Sequence, residues 1–216
     1  MKKIGVFYAD LGNKEIEAAA LLMIASVKEV MPDAHFVQFT NMISPLLPHM
    51  SEVVRKEPQQ LGFMEARIDH FASYPHEQML FLDPDIIMQK DVWDVFDTKF
   101  DVALTDRGGK PVMMGDKDIS IAMPHNTGVM FSTGNAFWRR VSVEMKKMSR
   151  DDKDWFGDQI AVGRVVKAKI FDVKVLDGSM YNYTPLSKEE DVSEKYSVHY
   201  KGKRKAWMST EKKELA

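Results

Sequence analysis

The sequence predicts an α/β protein with an open, mixed but mainly parallel sheet flanked by helices. Three observations carry that expectation. Short apolar runs alternate with stretches of helical periodicity along most of the chain. The segments between successive runs are long enough to hold a crossover helix, which suits parallel pairing. The chain has 216 residues, 44 % of them hydrophobic and none of them Cys, so one core is affordable without a disulfide framework. No composition shift, repeat or linker divides it, and residues 1–208 read as one domain followed by a polar tail, 209–216.

Ile4 to Ala9 is apolar and stops at Asp10, after which Ile16, Ala20, Met23, Ile24, Val27 and Met31 recur at helical spacing. Pro32-Asp33 closes that helix, and His35 to Phe39 alternates as a second strand does, giving a βαβ unit. A Pro-containing loop over residues 41–58 leads to a helix from about Gln60 to Ser73. Met79 to Leu82 reads as a buried strand ending at Asp83-Pro84-Asp85, followed by Ile86 to Met88, a short helix near Val92 to Phe96 and a strand from Phe100 to Thr105. Residues 106–124 lose periodicity and read as a long loop. A strand over Gly128 to Phe131 follows, then a helix capped by Ser132 or Thr133, a second helix over Trp155 to Val166, and strands at Ile170 to Leu176 and Tyr196 to Tyr200.

Charge excludes some functions. Lys plus Arg number 30 and Asp plus Glu 32, so the chain as a whole does not read as a polyanion binder. From Lys195 to Ala216 there are seven basic and two acidic residues, which leaves a nucleic-acid acceptor open for that segment. No stretch reaches the ~20 apolar residues that span a bilayer, and the first apolar run is too short for a signal peptide. A cytoplasmic protein without a transmembrane segment is the expectation.

Ligands of open α/β sheets bind beyond the carboxyl ends of the strands, where this sequence places Asp10, Asp83, Asp85, Asp106 and His199. The dinucleotide G-x-G-x-x-G, the Walker G-x-x-x-x-G-K, H-E-x-x-H and G-x-S-x-G patterns are all missing. With 19 aspartates in the chain, D-x-D arises by chance roughly twice, and it occurs three times. Context separates the three. Asp116-x-Asp118 and Asp152-x-Asp154 enclose lysines in polar stretches, whereas Asp83-Pro84-Asp85 ends a buried strand with no basic residue between Gln78 and Gln89. Two such carboxylates repel each other unless a cation is shared, and oxygen ligands favour Mg²⁺ or Mn²⁺. The competing reading is a turn in which one aspartate caps the next segment.

Leu80-Phe81-Leu82-Asp83-Pro84-Asp85-Ile86-Ile87 resembles the metal-binding D-x-D segment of GT-A glycosyltransferases. His199-Tyr200-Lys201-Gly202-Lys203-Arg204-Lys205-Ala206-Trp207 is similar to the H-x-x-G-x-x-K-P-W signature of glycosyltransferase family 8, with Ala206 in place of Pro. Asn126-Thr127-Gly128-Val129 and Asp158-Gln159 are similar to two further segments of that family, in the family's order. The resemblance implies a single-domain, Rossmann-like GT-A fold and a metal-dependent, retaining hexosyltransferase. The donor would be a UDP-sugar and the acceptor a saccharide or other hydroxyl compound. It implies that Asp83, Asp85 and His199 hold Mn²⁺ or Mg²⁺ and that Gly202 and Lys205 contact the diphosphate. Asp10 would meet the uracil, Arg67 the nucleotide and donor sugar, and Asp106 and Asn126 the sugar. Asp158 and Gln159 would be catalytic, with Gln159 near the anomeric face.

Two other readings stand beside it. One is a D-x-D phosphotransferase of the haloacid dehalogenase type, although Ile87 stands where that family has Thr or Val. The other is a nucleotide-sugar-binding protein of the same fold without transfer activity. The segment carrying His199 and Lys205, flanked by the polar, Pro-containing stretch from Tyr183 to Glu194, is further expected to close as a lid when donor and metal arrive.

Overall fold

The computed structural model describes residues 1–9, 12–57, 62–109, 111–114, 116–153 and 156–208. The first apolar run forms β1 (Lys3–Phe7) and the helical pattern after it α1 (Lys14–Val30). Asn13 starts α1 by accepting a hydrogen bond from the Glu15 N–H, satisfying one of the donors a helix start leaves free. β2 (His35–Asn41), β3 (Met50–Lys56), α2 (Phe63–Ser73), β4 (Met79–Leu82) and β5 (Ile86–Met88) follow. After a 3₁₀ turn at Trp93–Asp97 come β6 (Val102–Asp106) and a small hairpin of β7 (Met113–Met114) and β8 (Lys117–Asp118). The remaining elements are β9 (His125–Ser132), α3 (Ala136–Lys146), α4 (Gly157–Lys167), β10 (Val173–Leu176), α5 (Gly178–Tyr181) and β11 (Ser197–His199). A 3₁₀ turn, Gly202–Trp207, closes the described chain.

Among the described residues these strands build a seven-stranded sheet in the order β10-β6-β9-β4-β1-β2-β3. Its pairs are parallel except at β9, which runs antiparallel to both β4 and β6. The expected mixed, mainly parallel α/β sheet is therefore present, with helices on both faces. The pleat explains the unbroken apolar sequence of β4. Leu80 and Leu82 pack with Ile4, Val6, Met23 and Ile24 on the α1 side, while Met79 and Phe81 join Phe39, Phe71, Phe137 and Trp138 on the other. Gly5 makes that second layer possible, because a Cβ there would lie 2.8 Å from Phe81 Cδ1 and 2.9 Å from Phe39 Cε2.

Three local expectations are corrected. Residues 41–58, expected as a loop, contain β3, an edge strand whose exposed Ser51 and Glu52 and half-buried Arg55 and Lys56 leave no apolar run. Ser132 and Thr133 do not cap α3. Asn135 precedes it without a side-chain cap, Ser132 Oγ accepts from Trp138 Nε1 at 3.0 Å, and the Thr133 hydroxyl donates to the Phe100 carbonyl at 2.6 Å. Residues 106–124 are not a structureless loop but hold the β7–β8 hairpin and a 3₁₀ turn at Ser120–Ala122. Among the described residues, no helix is long and apolar enough to cross a membrane.

Candidate functional site

β4 runs directly into Asp83, whose N–H donates to the Gly128 carbonyl at 2.8 Å, so the neighbouring β9 fixes the strand end. Just beyond it, β5 pairs antiparallel with β11 and sets Ile86 opposite His199, while the Tyr200 N–H donates to the Asp85 carbonyl at 2.9 Å. That register brings a distant histidine to both carboxylates. His199 Nε2 lies 3.0 Å from Asp85 Oδ1 and 3.7 Å from Asp83 Oδ2. One ligand atom from each of Asp83, Asp85 and His199 falls within 4.8 Å of the others. The imidazole has room because residue 128 is Gly: a Cβ there would stand 2.4 Å from His199 Cε1.

The sequence offers these carboxylates no basic neighbour, but the fold does. From α2, Arg67 reaches Asp83 Oδ1 at 2.8 Å, and from the last 3₁₀ turn Lys205 Nζ reaches Asp85 Oδ2 at 2.8 Å. The expected repulsion is thus offset within the protein. Burial would push the Asp85 carboxyl up, yet the His199 imidazole and the Lys205 ammonium outweigh it and hold it below the usual carboxylate range. Two carboxylates and an imidazole nitrogen fit a divalent cation.

Asp158 sits differently. It opens α4, is 0 % exposed, and accepts from Arg67 Nη1 at 3.0 Å, the Thr127 hydroxyl at 3.0 Å and the Gln159 N–H at 2.8 Å. Burial pushes its carboxyl up, opposed by Arg67. The same guanidinium donates to the Thr127 carbonyl at 2.6 Å, so Arg67 ties α2, β9 and α4 to the end of β4.

Next to this lie the other residues expected at the site. Asp106 ends β6 and accepts from the Gly108 and Gly178 N–H groups at 3.2 and 3.1 Å. Asn126 Oδ1 accepts from the Gly128 N–H at 2.9 Å. Gln159 Oε1 accepts from Arg107 Nη2, and Arg107 Nε donates to the His125 carbonyl at 3.2 Å. Gly202 takes a positive φ of 60° at the start of the turn that delivers Lys205, a conformation glycine adopts without strain. Asp10, Asp154, Trp155 and residues 209–216 lie outside the described residues. The segment expected as a lid is bonded to the stretch beside it: the His199 N–H donates to the Tyr183 carbonyl at 2.6 Å and Arg204 Nε to the Pro185 carbonyl at 2.8 Å.

Arg107, Thr127, Thr105 and Asn182 escaped the sequence reading. Arg107 had a usable signal, since it directly follows an aspartate at a strand end. The other three are neutral polar residues whose partners come from other elements.

No family profile and no curated protein matches the sequence. Similarity to solved structures is extensive. The glycosyltransferase GlyE of Streptococcus pneumoniae TIGR4 superposes with a TM-score of 0.65 at 13 % identity over 95 % of this chain, which spans 59 % of the length of GlyE. A glycosyltransferase involved in glycosylation of the major capsid of PBCV-1 gives 0.61 at 17 % identity, covering 94 % of this chain and 97 % of that one. The galactosyltransferase LgtC, in complex with donor and acceptor sugar analogues, gives 0.55 at 16 % identity, covering 93 % and 87 %. The fold is that of GT-A glycosyltransferases. It is this fold that places the D-x-D pair, at the carboxyl end of a central strand, beside the histidine of β11.

Proposed function

We propose that the chain is a metal-dependent glycosyltransferase that moves a hexose from a UDP-sugar to a hydroxyl of a saccharide or other acceptor, retaining the anomeric configuration. The observation that carries this reading is the convergence of Asp83, Asp85 and His199 at the end of β4, with the Lys205 ammonium alongside. Those three side chains would hold Mn²⁺ or Mg²⁺, which supplies Lewis-acid stabilisation of the charge that builds on the leaving diphosphate. Lys205 adds a positive charge to the same face. Its ammonium leaves Asp85 for a phosphate oxygen and matters most as that oxygen becomes more negative. Gly202 brings the backbone of the turn to the diphosphate, Asp106 and Asn126 meet the sugar, and Asp10 meets the uracil.

In the transfer step the acceptor oxygen bonds to the anomeric carbon as the bond from that carbon to the β-phosphate oxygen breaks. The acceptor proton passes to the departing oxygen on the same face. Neither residue of the Asp158-Gln159 pair supports an inverting route. Gln159 is an amide and a feeble base, and Asp158 is fully buried with its oxygens taken by protein donors. We therefore assign Gln159 the stabilisation of positive charge at the anomeric carbon, with Arg107 fixing its amide, and Asp158 the positioning of Arg67. No observation favours a nucleic-acid acceptor.

The test has two parts. UDP with Mn²⁺ should raise the melting temperature, and Asp83→Asn or Asp85→Asn should abolish that rise while leaving a folded protein. Slow hydrolysis of a UDP-hexose separates a transferase from a binding protein that never turns over. Anomeric proton couplings of the product then decide the stereochemistry: an α-donor should give an α-linkage, and a β-linkage would overturn the retaining assignment.

A further inference from the structure

Asn182 follows α5 and is 5 % exposed, and the hydrogen bonds around it determine which way its amide points. The Gly128 N–H can only donate, so the Asn126 atom 2.9 Å from it is the oxygen. The Asn182 atom 2.6 Å from that oxygen must then be the NH₂ group, which also donates to Thr105 Oγ1 at 2.8 Å. This turns the Asn182 oxygen toward His199 Nδ1, 2.8 Å away, where it accepts a hydrogen. With Nδ1 protonated, the neutral imidazole has its lone pair on Nε2, the atom that faces Asp85 and Asp83.

We infer that Asn182 is a positioning residue that sets the His199 tautomer, so that Nε2 is offered to the cation. The inference rests on the metal-binding reading above. The chain of polarity starts at a backbone N–H that cannot reverse, and it passes through Asn126, Asn182 and His199, all buried and so shielded from water as a substitute partner. The Asp85 carboxylate has Lys205 to turn to, whereas the Asn182 amide is held by Thr105, Asn126 and His199 at once. A partner on the far nitrogen of a ligating histidine fixes ring orientation and tautomer, and its loss typically costs about 10–100-fold in metal affinity.

Two measurements test it. Mn²⁺ binding, read from the electron paramagnetic resonance of the free ion, should weaken about 10–100-fold in Asn182→Leu. It should recover in part in Asn182→Asp, which keeps an acceptor for Nδ1–H but loses the donor to Asn126 Oδ1. A merely structural role would lower the stability of both variants without separating their affinities. Nitrogen NMR of the metal-free wild type should show a hydrogen on His199 Nδ1, while Nε2, 3.0 Å from Asp85 Oδ1, has a carboxylate to donate to until a cation takes its place. Wild-type Mn²⁺ affinity in Asn182→Leu, or a bare His199 Nδ1 in the wild type, would overturn the role of Asn182. Should Asn182→Leu fail to fold, the wild-type spectrum decides alone. Failure of the wild type to bind Mn²⁺ overturns the metal reading instead, and the tautomer still decides for or against Asn182.

Discussion

Two groups of carboxylates share Arg67 and differ in what is left for a ligand. Asp158 is closed: Arg67, Thr127 and the Gln159 N–H take up its oxygens, and it has no exposed surface. Asp83 and Asp85 are open: their oxygens converge with His199 Nε2, and they are balanced by Arg67 and by Lys205, the latter on a 3₁₀ turn with no buried residue. A carboxylate whose partners are all protein donors holds the fold together. A pair whose partners can be exchanged is free to take a cation. The two groups should therefore separate cleanly when stability and binding are measured on the same variants.

The largest expected effect is on the closed side. Asp158→Ala strips a buried guanidinium of one carboxylate and leaves the Thr127 hydroxyl and the Gln159 N–H without that acceptor, a change worth about 3–5 kcal/mol of stability. Urea unfolding measures it. A loss under about 1 kcal/mol would mean that Asp83 alone satisfies Arg67 and that the closed group is not closed.

Next comes Lys205, the exchangeable cation of the open side. Lys205→Ala should lower turnover by about 10²–10³ with little change in donor KM, since its charge counts most in the transition state. In the absence of nucleotide, Mn²⁺ should bind the variant more tightly, because Asp85 no longer has an ammonium 2.8 Å away. Equal losses in turnover and donor affinity would make Lys205 a ground-state anchor. Weaker Mn²⁺ binding without nucleotide would remove the exchange argument.

One turn along α2 from Arg67, His70 handles burial in the opposite way. It is 3 % exposed among Phe7 and Phe39, its Nδ1 has no hydrogen-bond partner among the described residues, and the Asp69 carboxylate, already paired with Lys56, offsets its burial only in part. Burial, helped by Lys56, pushes its pKa down to about 4. The folded state therefore refuses a proton that the unfolded chain accepts at its ordinary value of about 6.5. Stability should fall as pH drops from about 6.5 to about 4 and level off below, losing up to about 3 kcal/mol from this group. His70→Phe should flatten that part of the stability profile, and an unchanged slope would show that His70 titrates normally.

How much of this was legible follows the same division. The open group announced itself because its residues carry chemistry in contiguous motifs: Asp83-Pro84-Asp85 against an apolar strand, and His199 spaced from Gly202 and Lys205. Buried strands were equally plain, since β4 needs apolar residues on both faces. The closed group was only partly visible. Asp158 and Arg67 could be placed by resemblance, but that they pair, with Thr127 between them, depends on how α2, β9 and α4 meet. Asn182 between two tyrosines carries no signal at all; its role is created by Thr105 and Asn126 on other strands. β3 was missed because an edge strand with charged residues on exposed and half-buried positions has neither an apolar run nor a buried face to betray it.

The smallest expected effect is the stability of Asp85→Ala in the metal-free protein. In contrast to Asp158, the carboxylate is removed from a place where its partners have alternatives. Lys205 lies on a 3₁₀ turn with no buried residue and can swing into water, and His199 keeps its hydrogen bond to Asn182. Removal also relieves the cost of holding two carboxylates close together at a buried strand end. These terms oppose the loss of an ion pair that holds the Asp85 carboxyl down, so the destabilisation should stay at about 1–2 kcal/mol, well short of that of Asp158→Ala. Mn²⁺-dependent UDP binding should nonetheless vanish. Unfolding curves with and without Mn²⁺ and UDP supply both numbers from one sample series. A loss in the metal-free protein as large as that of Asp158→Ala would show that Asp85 too is a structural carboxylate, and the distinction between an open and a closed group would fall with it.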